Sequence, residues 1–574
     1  MDSLKDDMEV SSQNTESVVS LLRKAVLHHQ SGQLKSAREI YVRLTRIDPK
    51  NSKCWYLLGC VHQQLQDSES AEASLREAIS LNPACEQYHH NLATILQIQQ
   101  KTEDAIKSYQ KALIVNPNYL KSIHGLATAY HRSGQLEAAL NYFDRVIDKN
   151  PEHSGARFNR AILLFERRQY IEVIGILTEL LETDPHTLGI KLYLGKSNLA
   201  LKQYEDAIYY FKEHMKSDPG SFPAMLGLGE ALLKTEDYRQ AIDYFKKLIS
   251  LKDCYPEVHN NIAICYQSLR EMQLAHQHYL RAIDMEPKNS VFHNNYGTLL
   301  LLMDQHNDAI KSFHEALGLR PKYFEAMVNL GNAYMNAKLL NKAEKLFNEV
   351  LKENANSAYA MWHRAMLRLL KGNFPEGFQD YEVRENCNFL KLEKRVFSVP
   401  RWRGGNRPDA TILVYCEQGF GDSIQFSRFL KPLEQKFRAV YLECPVSLAR
   451  IFESIMPKDR VFIRGQGLPK FDYTCPLHSL PLYLKTTVGD IPSSKKPYLH
   501  APTPPPLSED ATRLLEKLET NPNYLVGIVW AGNPLQTNDI RRSCSLDHFL
   551  KLKQLEGVQL ISIQNESTVR ENDL

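Results

Sequence analysis

Along residues 18–385 the apolar positions fall at helical spacing, and the pattern returns every 34 residues. Pro49, Pro83, Pro117, Pro151, Pro185 and Pro219 mark the return, which runs on through Asp253 to Pro287 and Pro321. A small residue stands at one fixed place in each unit: Ala25, Gly59, Ala93, Ala127, Ala161, Gly195, Gly229, Ala263, Gly297, Gly331 and Ala365. A second fixed place holds Ala37, Ala71, Ala105, Ala139, Val173, Ala207, Ala241, Ala275, Ala309, Ala343 and Gly377. An aromatic residue often follows it by one helical turn, as at Tyr41, Tyr109, Phe143, Phe211 and Phe245. The physics is that of a helix hairpin. Small residues let two antiparallel helices approach closely, the aromatic fills the gap to the next pair, and proline stops the second helix. One hairpin cannot bury its own apolar face, so the hairpins must stack. The pattern predicts ten full units and a partial eleventh.

After Val383 the spacing changes. Residues 386–409 read as an irregular connector with Pro400, Gly404, Gly405 and Pro408 as breakers. Short apolar runs then alternate with helical patterns. Strands are expected at 411–416, 439–444, 461–465 and 471–475, and helices at 422–436 and 447–455. That alternation predicts a parallel sheet with crossovers over 410–500. A proline-rich linker and a helix capped by Ser508 fill 501–523. A strand at 524–531, a helix at 545–555 and a strand at 558–564 predict a second α/β unit over 524–574, short for a full domain.

The turn EQGFGD, 417–422, joins the first strand to its helix. Gly419 and Gly421 are expected to supply positive φ or close backbone approach. Asp422 caps the helix or does acid–base work, and Glu417 lies just past a strand end, where sheet proteins place active residues. A dinucleotide fingerprint would need a third glycine where Ile424 stands, and no P-loop occurs.

Composition narrows the function. Lys+Arg number 70 and Asp+Glu 67, so neither nucleic acid nor an anionic membrane is a default partner. No apolar run reaches a membrane span, and residues 1–17 are polar, expected disordered, with no signal core. The ten cysteines are isolated, with no CxxC pair, and are expected to be reduced and buried in a cytoplasmic protein, the nucleus being a second compartment left open. No metal site is expected.

The period, small positions and stop residue of 18–385 resemble the tetratricopeptide repeat. The resemblance implies an α-solenoid whose concave face is lined by the first helix of each pair. Two residues before the first small position, the side chain points inward in that family. Asn91, Asn159, Asn261, Asn295 and Asn329 stand there, interrupted by Arg23, Leu57, Gly125, Tyr193, Gly227 and His363. A carboxamide donates and accepts, so one reading is a ladder gripping an extended peptide or protein segment. The other is local packing.

A second resemblance covers about 370–565. Gly372, Gly377, Tyr381, Glu382 and Arg384 match a GxxxxGxxxYExR segment, and Trp402 with Gly404 a W-x-G. EQGFGDSIQFSRFL, FDYTCPLHSLPL, IPSSKKPYL and VGIVWAGNPLQTNDIRRS follow in order. The whole is similar to the tetratricopeptide-linked, heptosyltransferase-like proteins of glycosyltransferase family 9. That resemblance implies a GT-B fold of two Rossmann-like domains, here incomplete in the second. It implies Asp422 as the general base on an acceptor hydroxyl, with Glu417 nearby. Gly419 and Gly421 shape the turn. Asn533, Asn538, Asp539, Arg541 and Arg542 would contact the phosphates of a nucleotide-sugar donor, a substrate rather than a cofactor. A solvated surface pair is the other reading of Arg541 and Arg542. The later donor-side segment of the family is missing, so the chain is expected to be a partner-binding scaffold with a glycosyltransferase-like module, or else an active glycosyltransferase. The fold class expected is mainly α, a tetratricopeptide α-solenoid followed by an incomplete α/β, Rossmann-like module of GT-B type.

Overall fold

The computed structural model describes residues 18–184, 189–252, 255–390, 392–491, 498–499, 512–513, 516, 524–529, 544–555 and 557–562. They belong to two compact units that divide between Val350 and Leu351.

The first unit is a helical solenoid of stacked hairpins, from Val18–Gln30 with Leu34–Ile47 to Phe324–Asn336 with Leu340–Glu353, whose last turn runs past the division at Val350. Its small positions are buried as expected; Ala25, Ala93, Ala139 and Ala263 have no exposed surface. The aromatics lie directly against them. A methyl group added at Gly195 would stand 2.7 Å from the Phe211 ring, and one at Gly297 would stand 2.7 Å from Phe313. In the second repeat Leu75 replaces the aromatic and packs on Gly59. Each second helix ends where the sequence stops it: Leu34–Ile47 is capped by Asp48, and Pro49 follows.

The end of each first helix carries a feature that the sequence pattern hid. Leu65 caps Ser52–Gln64, Gln66 then adopts φ 61°, its N–H reaches Gln63 O at 3.0 Å, and the Asp67 N–H reaches His62 O at 2.9 Å. This is a Schellman motif, in which a left-handed residue turns the chain and satisfies the last carbonyls. Glycine fills that place at Gly32, Gly134 and Gly372, but Gln66, Gln100, Arg168, Lys202, Glu236, Arg270, Asp304 and Lys338 fill it elsewhere. The left-handed conformation costs a residue with a Cβ about 1–2 kcal/mol. The cost is met by stacking, because the hairpin must close at this length to put both small positions in register.

The second unit begins with the eleventh hairpin, Ala358–Leu370 and the short Phe374–Tyr381, and continues into a 3-10 turn at Glu382–Asn386. Four strands follow: β1 (Arg407–Tyr415), β2 (Phe437–Cys444), β3 (Val461–Ile463) and β4 (Tyr473–Pro476). They form one parallel sheet in the order β3-β2-β1-β4, with Val414 opposite Leu442 on one side and Cys475 on the other. Ile412, Val414, Val440, Leu442 and Cys475 fill its core with Trp402, Phe429, Phe437 and Phe452. Strands β5 (Tyr524–Ile528) and β6 (Val558–Ser562) pair in parallel as a separate two-stranded sheet, with the helix Asp547–Leu550 between them in sequence.

Several expectations change. Strand β1 starts at Arg407, within the stretch read as connector, because a register shift between Arg407 and Thr411 absorbs Pro408. The single helix expected at 422–436 is broken into Phe420–Phe426, a 3-10 turn Ser427–Phe429 and Leu430–Glu434; Pro432 lacks the N–H that a continuous helix would use. Gly419 has φ −61° and ψ 165°, and neither it nor Gly421 has positive φ. Conformational freedom is therefore not the reason for either glycine. Cys54, Cys265, Cys387, Cys416, Cys444 and Cys475 are buried thiols, but Cys544 is exposed.

Candidate functional site

In the first unit the first helices of successive repeats lie side by side, and the recurring asparagines sit on the seam between them. Asn329 Nδ2 donates to Asn294 Oδ1 at 2.9 Å, and Asn294 Nδ2 to Asn295 Oδ1 at 3.5 Å. Asn295 Nδ2 donates to Asn260 Oδ1 at 3.0 Å, and Asn260 Nδ2 to Asn261 Oδ1 at 3.4 Å. Five carboxamides thus run head to tail across three repeats. Asn260 and Asn294, each one residue before a ladder position, are the links that the sequence reading missed. A carboxamide offers two donors and two lone pairs, so one bond in each direction leaves capacity in the partly exposed members. Asn261 and Asn295 are half-buried; Asn329 is only 6% exposed.

The other ladder members pair differently. Asn91 Nδ2 donates to Tyr56 Oη at 3.1 Å and lies 3.4 Å from Cys60 Sγ. Asn159 Nδ2 lies 3.3 Å from His124 Nε2. Burial lowers the pKa of His124, and His153 stacks on it at 5.1 Å, so the ring stays neutral and can accept. Two interruptions of the ladder have a packing cause. A methyl group at Gly125 would stand 2.6 Å from the Tyr109 ring of the preceding repeat, and one at Gly227 would overlap Phe211.

In the second unit the sheet order places a switch point between β1 and β4, where connections leave in opposite directions and a crevice opens at the strands' carboxyl ends. Glu417 follows β1; His478 and Ser479 follow β4. Arg384, from the 3-10 turn after the eleventh hairpin, fills this crevice and has no exposed surface. Its Nη2 donates to Glu417 Oε1 at 2.6 Å and to Ser479 Oγ at 2.7 Å, and its Nη1 to Glu382 Oε1 at 2.6 Å. Arg401 Nη2 reaches Glu382 Oε2 and Ser479 Oγ, both at 2.8 Å. Tyr381 Oη and Gln418 Nε2 meet at 2.8 Å. The YExR residues therefore fasten the hairpin to the sheet edge.

Glu417 is 6% exposed, and His478 Nδ1 stands 3.4 Å from its Oε1. Burial alone would push this carboxyl up; the neighbouring His478 ring and the Arg384 charge outweigh it and hold the pKa below the ordinary value. It is ionised and engaged. Asp422 is different: it lies exposed in the first turn of Phe420–Phe426, after Gly419 at the cap, and Gly421 beside it borders open space. Next to the network is a cavity of about 450 Å³, bordered by Glu385, Arg395, Phe397, Arg401, Tyr415 and Glu417. Asn533, Asn538, Asp539, Arg541 and Arg542 lie outside the described residues.

Among the described residues no helix is long and apolar enough to cross a membrane. Models of the tetratricopeptide repeat match residues 18–51, 52–85 and 256–289, residues 85–152, residues 278–311, and residues 198–263 and 300–366. Among curated proteins, the human mitochondrial import receptor subunit TOM70 is 29% identical over 133 residues, covering 21% of this chain and 22% of that protein. Tetratricopeptide repeat-containing protein trd-1 of Caenorhabditis elegans is 25% identical over 126 residues, covering 22% of this chain and 16% of its own. The chain thus spans only a minor part of these relatives: 22% of one and 16% of the other. Of the solved structures, yeast Tom70 is 14% identical, with 64% of this chain and 91% of that chain covered at a TM-score of 0.34. The APC/C hetero-tetramer Cut9–Hcn1 is 16% identical, with 64% and 93% covered at a TM-score of 0.34. From the first hairpin at Val18 to the last match at residue 366, this chain is a tetratricopeptide-repeat protein.

Proposed function

We propose that the chain is a protein-binding scaffold whose first-helix face, the concave side of the solenoid, grips an extended polypeptide segment, and that its C-terminal residues form a glycosyltransferase-like module to which the segment is delivered. The observation that carries the reading is the run of carboxamides Asn329, Asn294, Asn295, Asn260 and Asn261. A peptide backbone presents alternating donors and acceptors, and a row of amides held in fixed orientation matches it without reorganisation. The unpaired thiols fit a reducing compartment such as the cytoplasm.

The test is fluorescence anisotropy of the full chain with a panel of labelled, extended peptides. Asn261→Ala should weaken binding about tenfold, the loss of one or two hydrogen bonds, while lowering the melting temperature only slightly, because the bond it accepts from Asn260 is long at 3.4 Å. Peptides N-methylated along the backbone should bind less well than their parents. Equal binding by methylated and unmethylated peptides would sink the backbone-grip reading.

A second reading, an active glycosyltransferase moving a sugar from a nucleotide-sugar donor to a protein hydroxyl, is favoured by one observation. The parallel sheet of order β3-β2-β1-β4 carries Asp422 exposed at its carboxyl edge, where α/β sheets bind ligands. Calorimetric titration with UDP, GDP, ADP and their sugar conjugates tests it. Saturable binding that weakens in Arg542→Ala supports the donor site; flat titrations from a folded sample count against it.

A further inference from the structure

One position of the first helix sets two neighbouring repeats apart. The residue just after the small position is uncharged from Val26 through Thr128 and Ile162, and again from Ile264 to Asn332. Between them it is Lys196 and then Glu230. Both are half-buried. Among the described residues neither has a hydrogen-bond or ion-pair partner. Lys196 Nζ stands 5.2 Å from the Tyr193 ring centroid, and among the described residues Lys234, one turn along its own helix, is the charge that acts on Glu230. Burial lowers the pKa of Lys196 and raises that of Glu230. A charge withdrawn from water without a partner destabilises the chain that carries it, and such charges concentrate where a ligand supplies the missing partner.

The place of these residues is set by their neighbours. In the second repeat the same position is Cys60, whose Sγ lies 3.4 Å from Asn91 of the next repeat, so the position opens onto the seam that carries the ladder. Across the seam from Lys196 the ladder position is Gly227, which has no side chain to cover it; across from Glu230 it is Asn261. Phe165 and Phe158 pack edge-on against Tyr193 at 5.4 and 5.9 Å, giving Lys196 an apolar flank. Equivalent positions on neighbouring packed helices are about 8–10 Å apart. An extended chain covers that distance in about three residues.

We propose that Lys196 and Glu230 set the register of the bound polypeptide: an extended segment docks with a carboxylate opposite Lys196 and a lysine or arginine opposite Glu230, about three residues apart. The proposal rests on the scaffold reading and adds the chemistry of the occupant. It commits to a protein segment with mixed charge, because a purely acidic or purely basic one would satisfy one of the two groups and repel the other.

The test uses the full chain and labelled, acetylated Gly/Ser peptides that carry one Glu and one Lys at varied spacing and in both orders. The expected result is tightest binding at a spacing of about three, weakened about tenfold by Lys196→Met and again by Glu230→Gln. The swapped chain, Lys196→Glu with Glu230→Lys, should prefer the peptide with the reverse charge order. Because the free protein carries both charges at a cost, each single neutral variant should melt no lower than the parent. Binding that persists unchanged in both variants overturns the register proposal while the scaffold stands. A lowered melting temperature in both, with unchanged peptide preference, overturns it too, by showing the charges to be structural. If no peptide binds the folded parent chain, both readings fall.

Discussion

Replacing Arg384 by methionine tests whether the YExR segment is a structural fastening. The guanidinium is fully buried and makes charge-assisted bonds to Glu417, Glu382 and Ser479 at 2.6–2.7 Å. Methionine fills a similar volume, so the loss is electrostatic rather than a cavity. It leaves Glu417 buried with only His478 beside it. Removing one partner of a buried pair typically costs about 3–5 kcal/mol, because the other charge is stranded. The assay is urea unfolding of the full chain with Trp402, which is buried in the sheet core, as the only tryptophan. The transition seen by Trp402 should move by that amount, while a variant retaining only Trp55, in the second repeat, should show an unchanged one. The pH dependence sharpens the test. In the parent, the pKa of Glu417 in the folded state lies below its unfolded value of about 4.3, so its contribution is full above that pH and is lost as pH falls through the folded pKa. Without Arg384, burial should raise the folded pKa above the unfolded one, and the variant then regains stability on acidification. The gap between parent and variant should therefore be widest near neutral pH and narrow toward pH ~4. A cost under about 1 kcal/mol, or one independent of pH, would refute the account, because exposed ion pairs behave that way.

Three further outcomes follow from the same geometry. Lys202→Gly, at φ 63°, should stabilise the solenoid by up to about 1 kcal/mol, and Asp304→Gly, at φ 59°, by less, since aspartate tolerates the left-handed region better; chemical denaturation ranks them. Gly195→Ala drives a methyl group to within 2.7 Å of Phe211 and should cost about 1–3 kcal/mol, whereas Gly175→Ala, an exposed helix position with nothing within 4 Å, should gain about 0.5–1 kcal/mol. Asn294→Ala removes the second member of the carboxamide run at a residue 1% exposed and should cost about 1–3 kcal/mol in the same assay, with amide exchange rising first at repeats 9 and 10.

Ala25, Gly195 and the prolines were legible in the sequence because close helix approach tolerates few side chains, and the constraint returns with every hairpin. The left-handed turns were not, because Gln66, Lys202 and Lys338 adopt a conformation that the reading assigns to glycine; tertiary packing overrides the local preference there. The four parallel strands were legible from their apolar runs, since a sheet buried on both faces needs them. Arg384 was matched as part of a motif, yet its charge gave no sign of complete burial. What decides it is Glu417, 33 residues on, and Ser479 beyond that, partners that no local pattern connects.

The same contrast separates the two carboxylates at the sheet edge. Glu417 was singled out for its place after a strand, and that place is real, but its Oε1 is held by the buried Arg384 guanidinium with His478 3.4 Å away, so the group is tied into the fastening. Asp422 has no such engagement on its exposed face. The exposed Asp422 is the more accessible of the two, and Asp422→Asn should abolish transfer while leaving the Trp402 unfolding transition in place. Glu417→Gln should do the reverse, lowering that transition by leaving the buried Arg384 with Glu382 as its one remaining carboxylate among the described residues. A Glu417→Gln chain that unfolds like the parent would show that the network does not hold the hairpin, and would return Glu417 to candidacy as a reacting group.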